Sequence, residues 1–551
     1  MEQSPLDENR WSELTSLLGD DLINFMLNCD APPRPAEFTV EQGQAAALML
    51  SLWPEQDYPM HAHAPWALTR IIERAFCSYF PAYGGTLATA LHYSCGGERP
   101  QVPTENNLEQ DLCALAADAF PTLLIAGRPA GDFVSLSHLY THPRRAAAER
   151  NLFQSDEPLM RLFPHADFSE PIGANCGSTP RLTSYLQWND GSAGTISSDG
   201  MIECILKASI GASPDGRVDL EAYVTSVRHS LQAARKLANG EAALVPAIVG
   251  LYGVNFASSL TSIPLHGAIF RRKTQLDHNI GWIPGPEEVI LEIPTELQLV
   301  CPPQPFDGSM ESQSLFAEDW PTQVALAEEF RERLVTSTNR ARMAVLLASG
   351  SDEVLAMGAS FTSVMKPLGS STQSRSSRNQ WPQTPFRSRP VDQTDVQAIQ
   401  RWDEALQHAP EWLSVGQERI LLATSERESP KDGFIDAVIA WESLFGGSGE
   451  TTLRVCLALA YLFHAAEPEA RYATYEKLRT MYGQRSSLVH GGDKPPNHTK
   501  AIELRDDAVQ VALRAWRAVL CSKTLLACKK SPDRGLQVIL GSVQDLPPRM
   551  D

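Results

Sequence analysis

The stretch DGFIDAVIAWESLF at residues 432–445 decides the fold class of the second half of the chain. Its large apolar residues recur every three or four positions, which is the period of an α-helix that buries one side. The stripe consists of Phe434, Val438, Trp441 and Phe445, flanked by Ile435 and Ile439. We therefore predict a helix that packs against other helices in a protein core.

The same period continues on both sides of this stretch, from Asp395 to Leu526. A second stripe, in the last long segment, consists of Val509, Ala512, Leu513, Trp516 and Leu520. Short connections between such segments favour antiparallel neighbours in a bundle. We predict an all-α bundle over residues 396–551.

Residues 1–366 show a different, mixed pattern. The runs PLHGAIF (264–270) and EVILEIPTELQLV (288–300) have the composition of strands. Residues 218–240, which end on a capping glycine, and residues 322–349 have the pattern of long helices, the latter of one helix or two. We predict an α+β region over 1–366, either as one unit or with a second, helical subdomain from about residue 311.

The segment PLGSSTQSRSSRNQWPQTPFRSRP (367–390) separates the two patterns. It is rich in Ser, Gln, Pro and Arg and contains no acidic residue. This composition is typical of a linker or loop, and we assign one to residues 367–395. Its positive charge could help to hold RNA, but a plain tether is the interpretation that composition favours.

Charge and composition narrow the classes of function. The formal net charge is −19, which argues against coating nucleic acid by general electrostatics but leaves room for a local basic site. We find no apolar run long enough to cross a membrane and no secretory signal. The 10 cysteines form no C-x-x-C pair, so we predict a reduced, cytoplasmic protein. No nucleotide-binding glycine motif occurs, and we predict neither a cofactor nor a metal ion.

The stretch YEKLRTMYGQRSSLVHGG (475–492) carries the candidate chemistry. Arg485 and His490 form an R-x4-H pair near the end of a predicted helix. An imidazole can exchange a proton as the 2′-hydroxyl of RNA attacks the neighbouring phosphate, and a guanidinium can hold that phosphate. The spacing alone is weak, because a surface arginine followed by a helix-terminal histidine is common.

Helix geometry adds a condition. Residues five apart on a regular α-helix point about 140° away from each other. The two side chains can meet one substrate only if the helix ends or distorts near Val489, and the glycines 491 and 492 permit such an end.

Glu442 falls on the side of its helix that we predict to face inward. An acid in that position needs a partner, since a buried unpaired carboxylate is costly. Arg454 and Arg485 are both candidates for that partner. A structural ion pair and a supporting role in catalysis are equally compatible with the pattern.

Three ordered blocks of the C-terminal region resemble the Apea-like branch of the HEPN superfamily. They are residues 418–447, residues 450–463 and residues 478–492, which include "IDAVIAWESLF" and "RSSLVHGG". The resemblance implies a helical bundle of four or five helices that dimerises with the two R-x4-H motifs face to face. It implies metal-independent cleavage of RNA by Arg485 and His490, which leaves 2′,3′-cyclic phosphate ends. Ser486 departs from the family, whose members commonly have Asn, Asp or His at that position.

From this resemblance we expect an endoribonuclease toxin or effector in bacterial antiphage defence. Its substrate would be tRNA or another single-stranded or looped RNA, and a phage-derived trigger would act on residues 1–366. One alternative is a non-catalytic HEPN scaffold for nucleotide binding or dimerisation. Another places a separate enzyme in residues 1–366, with the bundle as its dimerisation device.

Overall fold

The computed structural model describes residues 8–52, 65–101, 107–125, 136, 139, 141–164, 182–198, 200–211, 219–273, 277, 289–306, 320–350, 354–369, 372–375, 389–447, 449–491 and 496–546. Helices and strands are both present upstream of residue 376, whereas the secondary structure after residue 395 is helical. The predicted change from a mixed region to a helical one is therefore confirmed. Within the described residues, no helix combines the length and apolar composition that crossing a membrane requires.

The first elements of the described chain form a helical layer. Its helices are α1 (Glu8–Leu18), α2 (Asp20–Leu27), α3 (Val40–Leu52), α4 (Pro65–Ile72), α5 (Leu87–Ser94), α6 (Asn107–Leu123), α7 (Pro143–Ser155) and α8 (Glu157–Met160). The short strands β1 (Tyr79–Phe80) and β2 (Gly85–Thr86) pair between α4 and α5. Almost every residue of α6 from Leu112 onward is buried, so this helix is the centre of the layer.

Two antiparallel sheets follow. The smaller has the order β4–β3–β9, with β3 at Thr183–Gln187, β4 at Ala193–Ser197 and β9 at Gln304–Pro305. The larger has six strands in the order β11–β10–β5–β8–β7–β6. Its strands are β5 (Ala243–Tyr252), β6 (Ser262–Leu265), β7 (Ala268–Arg272), β8 (Val289–Leu297), β10 (Gly358–Val364) and β11 (Thr372–Arg375).

Helices cover both faces of the six-stranded sheet. These are α10 (Leu220–Ala238), which follows α9 (Met201–Ala208), and α11 (Trp320–Ala348). Side chains alternate between the faces of a strand. On β8, Glu292 lies on the side of α10, and Ile293 lies on the side of α11. A sheet covered on both faces explains why β8 reads as a nearly continuous apolar run.

Two predictions upstream of the bundle need correction or refinement. Residues 264–270 are not one strand, because β6 and β7 meet there in a hairpin whose Gly267 has a φ of +66°. This left-handed conformation favours glycine and places the turn inside the apolar run. The segment 322–349 forms a single helix rather than two, and the predicted helix over 218–240 is α10, with Gly240 just beyond its end.

Part of the Ser/Arg-rich segment is structured. Leu368 is fully buried, and Thr372–Arg375 form β11, the strand at the edge of the large sheet beside β10. At the other end of the segment, Arg389 forms two hydrogen bonds of 2.6 and 2.7 Å with the carboxylate of Asp395. Residues 376–388, which carry Arg378 and Arg387, lie outside the described part of the chain.

The C-terminal helices are α12 (Val396–Gln407), α13 (Ser414–Leu421), α14 (Pro430–Phe445), α15 (Thr451–Phe463), α16 (Pro468–Val489), α17 (His498–Cys521), α18 (Lys523–Ala527) and α19 (Ser531–Ile539). Most of them pack around α14, whereas the first of them, α12, packs against α11 and β6. Both predicted stripes form the core between α14 and α17, and Trp441 and Trp516 are fully buried there. The indole Nε1 of Trp441 donates to the carbonyl of Ala508 at 3.0 Å.

The mixed region and the helical region share an extensive contact through α11, which packs against α12, α13 and α17. Arg342 of α11 is buried and donates to Ser425 Oγ at 2.7 Å and to Glu426 at 3.0 Å. Both acceptors belong to a π-helical turn, Leu422–Glu426, between α13 and α14. From α17, Arg517 donates to carbonyl groups at the end of α11, those of Leu347 and Ser349. The helical region is thus bound to the sheet region by one buried and one half-buried arginine, Arg342 and Arg517.

Candidate active site

The candidate residues lie on α16 and α14, which are in contact. Pro468 occupies the first turn of α16, where its missing N–H is no loss. Farther along, Leu478, Met481 and Tyr482 are buried at helical spacing. Arg485 continues that spacing and so falls on the face of α16 that is turned toward α14.

The structure brings Glu442, Tyr482 and Arg485 together in one cluster. The hydroxyl group of Tyr482 donates a hydrogen bond to Oε1 of Glu442. Nη2 of Arg485 lies 3.5 Å from Oε2 of the same carboxylate. The guanidinium carbon of Arg485 is 5.9 Å from the centre of the Tyr482 ring. Of the two partners that the sequence left open for Glu442, the ion pair is with Arg485.

The guanidinium of Arg485 has N–H donors that form no hydrogen bond with the described residues. At 3.5 Å, its contact with Glu442 is an ion pair but too long for a good hydrogen bond. Its Nε is buried and has no hydrogen-bond partner within the described structure. This unsatisfied buried donor is costly, and an acceptor from solvent cannot reach it in the present arrangement. The Arg485 side chain as a whole is 20% exposed, so a ligand can contact its other atoms from solvent.

Tyr482 is a member of the cluster that the sequence analysis missed. Burial, and then its hydrogen bond to Glu442, raise the pKa of the Tyr482 hydroxyl above its usual range. The phenol therefore stays protonated and donates its hydrogen bond to the Glu442 carboxylate throughout the neutral pH range. A signal was present, because Tyr482 lies three residues before Arg485 and shares its helix face.

Glu442 is less deeply placed than predicted. It stands with Ile435 and Ile439 on the half-buried flank of α14, and its side chain is 23% exposed. The end of its helix is held firmly, because the buried Arg534 of α19 donates to the carbonyl groups of Ser443 and Leu444, each at 3.0 Å. These bonds satisfy carbonyls that a helix end leaves free.

His490 lies at the end of α16, which stops at Val489 as predicted. Its N–H still bonds the carbonyl of Ser486 at 3.0 Å, and the left-handed turn comes at Gly491, with a φ of +75°. His490 therefore keeps a helical position, about 140° around the axis from Arg485. Its side chain is exposed, whereas that of Arg485 is turned to α14. Within one chain, the two side chains diverge.

The remaining candidates stand apart from the Glu442 carboxylate. Ser486 is half-buried beside Arg485. Arg454 is exposed on α15, and among the described residues it makes no ion pair with Glu442. Thr452, two residues earlier, interacts with Tyr482. Positions two apart on a helix point in nearly opposite directions, which explains why Arg454 is left outside the cluster.

The described residues contain no group of three or more His, Cys, Asp or Glu side chains arranged to hold a metal ion. Upstream, His142 is buried, with Nε2 2.8 Å from Asp118 and Nδ1 accepting from the N–H of Arg144. Both ring nitrogens are engaged inside the fold, so we assign this pair a structural role.

The fold and the cluster thus define a mixed α/β protein whose helical C-terminal region carries an Arg–Glu–Tyr group and, on a different side of the same helix, an exposed histidine. Comparison of the chain with protein-family models, with curated proteins and with solved structures found no match.

Proposed function

We propose that the C-terminal region is a HEPN-type bundle that cleaves RNA without a metal ion, with Arg485 and His490 as its catalytic residues. The observation that carries this proposal is the state of Arg485. Its guanidinium is held by the charge of Glu442, but its N–H groups are not used up by hydrogen bonds to the described chain. Such a group is suited to binding a phosphate, which offers several acceptors to a planar donor.

In the proposed reaction, the 2′-hydroxyl attacks the adjacent phosphorus and the bond to the 5′-oxygen breaks. A base removes the 2′-hydroxyl proton, and an acid returns a proton to the departing 5′-oxygen. His490 is exposed and able to serve in either step. Arg485 stabilises the negative charge that grows on the phosphate oxygens. The products are a 2′,3′-cyclic phosphate and a 5′-hydroxyl.

The divergence of Arg485 and His490 supports a composite site between two copies of the chain. A twofold axis near the end of α16 would bring Arg485 of one copy toward His490 of the other, because a symmetric interface pairs unlike residues twice. We propose this homodimer as the active form. Residues 1–366 would restrain it until a trigger, for which we propose a phage component, releases an RNA-cleaving toxin in the cytoplasm.

The first experiment measures cleavage of tRNA and total RNA by the full-length protein in excess EDTA. Arg485→Ala and His490→Ala are compared with Arg479→Ala and His498→Ala, which alter exposed residues of the same types on α16 and α17. We expect both site variants to lose cleavage by at least about a hundredfold and both controls to keep it. Cleavage that either site variant retains in full, or that EDTA abolishes, contradicts the proposal.

A mixing experiment tests the composite site. Equal amounts of the two inactive variants form about one half mixed dimers, each with one intact pair of Arg485 and His490, so about a quarter of the wild-type activity returns. A site within one chain predicts no recovery on mixing.

The scaffold alternative rests on the same ion pair, since Glu442 and Arg485 could serve only to join α14 to α16. It predicts that Arg485→Ala lowers the melting temperature while RNA stays intact under all conditions. Measuring unfolding and cleavage on the same preparations separates the two functions.

A further inference from the structure

A cavity of about 290 Å³ lies between α10 and the six-stranded sheet. Its walls are mostly apolar and include Ala208, Ala233, Pro246 and Met365. Polar residues line it at a few points, among them Ser230 and Glu292. A largely apolar cavity of this size with a few polar groups is the usual form of a small-molecule site.

Glu292 is an unusual residue for this place. It occupies the middle of β8, between Ile248 of β5 and Ile269 of β7, and is only 7% exposed. A carboxylate in the interior of a sheet requires compensation, because its charge is poorly solvated there.

The compensation that Glu292 receives is partial. Arg271 donates from Nε to Oε2 of Glu292 at 3.0 Å. Its other two nitrogens donate to Asp277 at 2.6 and 2.8 Å, so one guanidinium serves two carboxylates. Oε1 of Glu292 accepts no hydrogen bond from the described residues. Burial raises the pKa of Glu292 to about 7, against the opposing effect of Arg271.

We propose that this cavity is a binding site for a small organic cation, in which Glu292 pairs with the ammonium or amidinium group of the ligand. Such a site would bind its ligand whether or not the protein cleaves RNA. Because Glu292 shares the sheet face of Pro246 and Met365, its carboxylate lies on the cavity side of the sheet.

The lining selects this class of ligand. The residues of the described chain that line the cavity include Glu292 and no lysine or arginine. The nearest guanidinium, that of Arg271, is already shared by Glu292 and Asp277, so a phosphate or carboxylate would meet a like charge. A neutral apolar molecule would leave the free oxygen of Glu292 unpaired. A cation with a compact apolar body pairs its charge with the Glu292 carboxylate and places its apolar part against the apolar lining.

The test uses benzamidine and phenethylamine as probes, with benzamide and benzoate as the neutral and anionic counterparts. Calorimetric titration of the full-length protein at pH 8 is expected to show one saturable site for a cationic probe and none for benzamide or benzoate. Glu292→Gln should weaken that binding at least about tenfold. Equal binding of benzamide and benzamidine, unchanged binding by Glu292→Gln, or no binding of either cation overturns the proposal.

Two further measurements make the result independent of folding defects. Ala233→Leu fills part of the cavity and leaves Glu292 and Arg271 in place, so it should abolish probe binding while the protein still unfolds cooperatively. Affinity should also increase from pH 6 to pH 8, as Glu292 ionises. The charged groups near this carboxylate are Arg271, Asp277 and, at the cavity wall, His229. The pH effect must therefore persist in His229→Gln and disappear in Glu292→Gln; any other pattern contradicts the assignment.

Discussion

Arg485 and Glu442 lie 3.5 Å apart across the contact of α16 and α14, joined by charge and not by a close hydrogen bond. Tyr482 holds the other oxygen of the same carboxylate. Glu442 can therefore set the position of the guanidinium without occupying its N–H groups. An arginine that binds phosphate needs both properties, a fixed position for its guanidinium and N–H groups left for the ligand.

If Glu442 positions Arg485 for catalysis, Glu442→Gln should reduce kcat for RNA cleavage about tenfold, since an uncharged amide attracts the guanidinium weakly. KM should change less, and Glu442→Asp should restore part of the loss. Tyr482→Phe should cause a smaller loss, because the carboxylate itself remains. A purely structural role predicts instead that all three variants change the melting temperature and leave kcat unchanged.

Asp436 should be one of the strongest electrostatic contributors to the stability of the bundle. Its buried carboxylate accepts from Arg419 at 2.8 Å and from Arg427 at 2.5 Å. We expect Asp436→Asn to lower the free energy of unfolding by about 3 kcal/mol, because it leaves two arginines without their acid. Asp432→Asn, one turn earlier and exposed, should cost less than about 1 kcal/mol. Urea unfolding of both variants provides the comparison, and equal losses would contradict the prediction.

Two glycines in the helical region should respond to alanine in opposite directions. A Cβ atom on Gly416 would overlap Ser443 Oγ and lie 3.0 Å from Cζ2 of Trp516, which is fully buried. Gly416→Ala should therefore destabilise the protein by about 2 kcal/mol. A Cβ on Gly483 meets nothing within 4 Å, so Gly483→Ala should stabilise α16 by up to about 1 kcal/mol. Thermal unfolding of the two variants will show whether the signs differ.

Glu292 should make stability depend on pH. Its pKa rises from 4.5 to about 7 on folding, so the folded chain binds the proton more tightly than the unfolded chain. The stability that comes from this tighter proton binding is fully present below 4.5, the pKa of Glu292 in the unfolded chain. It is lost as the pH rises through about 7, the pKa of Glu292 in the folded chain. Between about pH 5 and pH 8 the wild type should therefore lose about 2 kcal/mol that Glu292→Gln does not lose. If the free energy of unfolding changes with pH by the same amount in both proteins across this range, the raised pKa of Glu292 is disproved.

Periodicity in the sequence was sufficient to predict the helices around Trp441 and Trp516, because an amphipathic helix records in its own residues which side is buried. The glycines 491 and 492, and not periodicity, indicated that the helix could end near Val489, where α16 does end. Reasoning from the sequence failed at residues 264–270, where two strands separated by a tight turn have the composition of one strand. It also did not predict β11. Thr372–Arg375 form a strand because they pair with β10, and their local composition carries no sign of that pairing.

The sequence by itself determined the helical C-terminal region, the glycines that allow α16 to end near Val489, and the residue types that make RNA cleavage the leading hypothesis. Only the tertiary structure decided that Glu442 pairs with Arg485 instead of Arg454, that Tyr482 joins them, and that Arg485 and His490 diverge in one chain. It also decided that Glu292 faces a cavity. The reason is physical: local periodicity reports which side of an element is buried, whereas a pairing depends on which two elements meet and at what rotation.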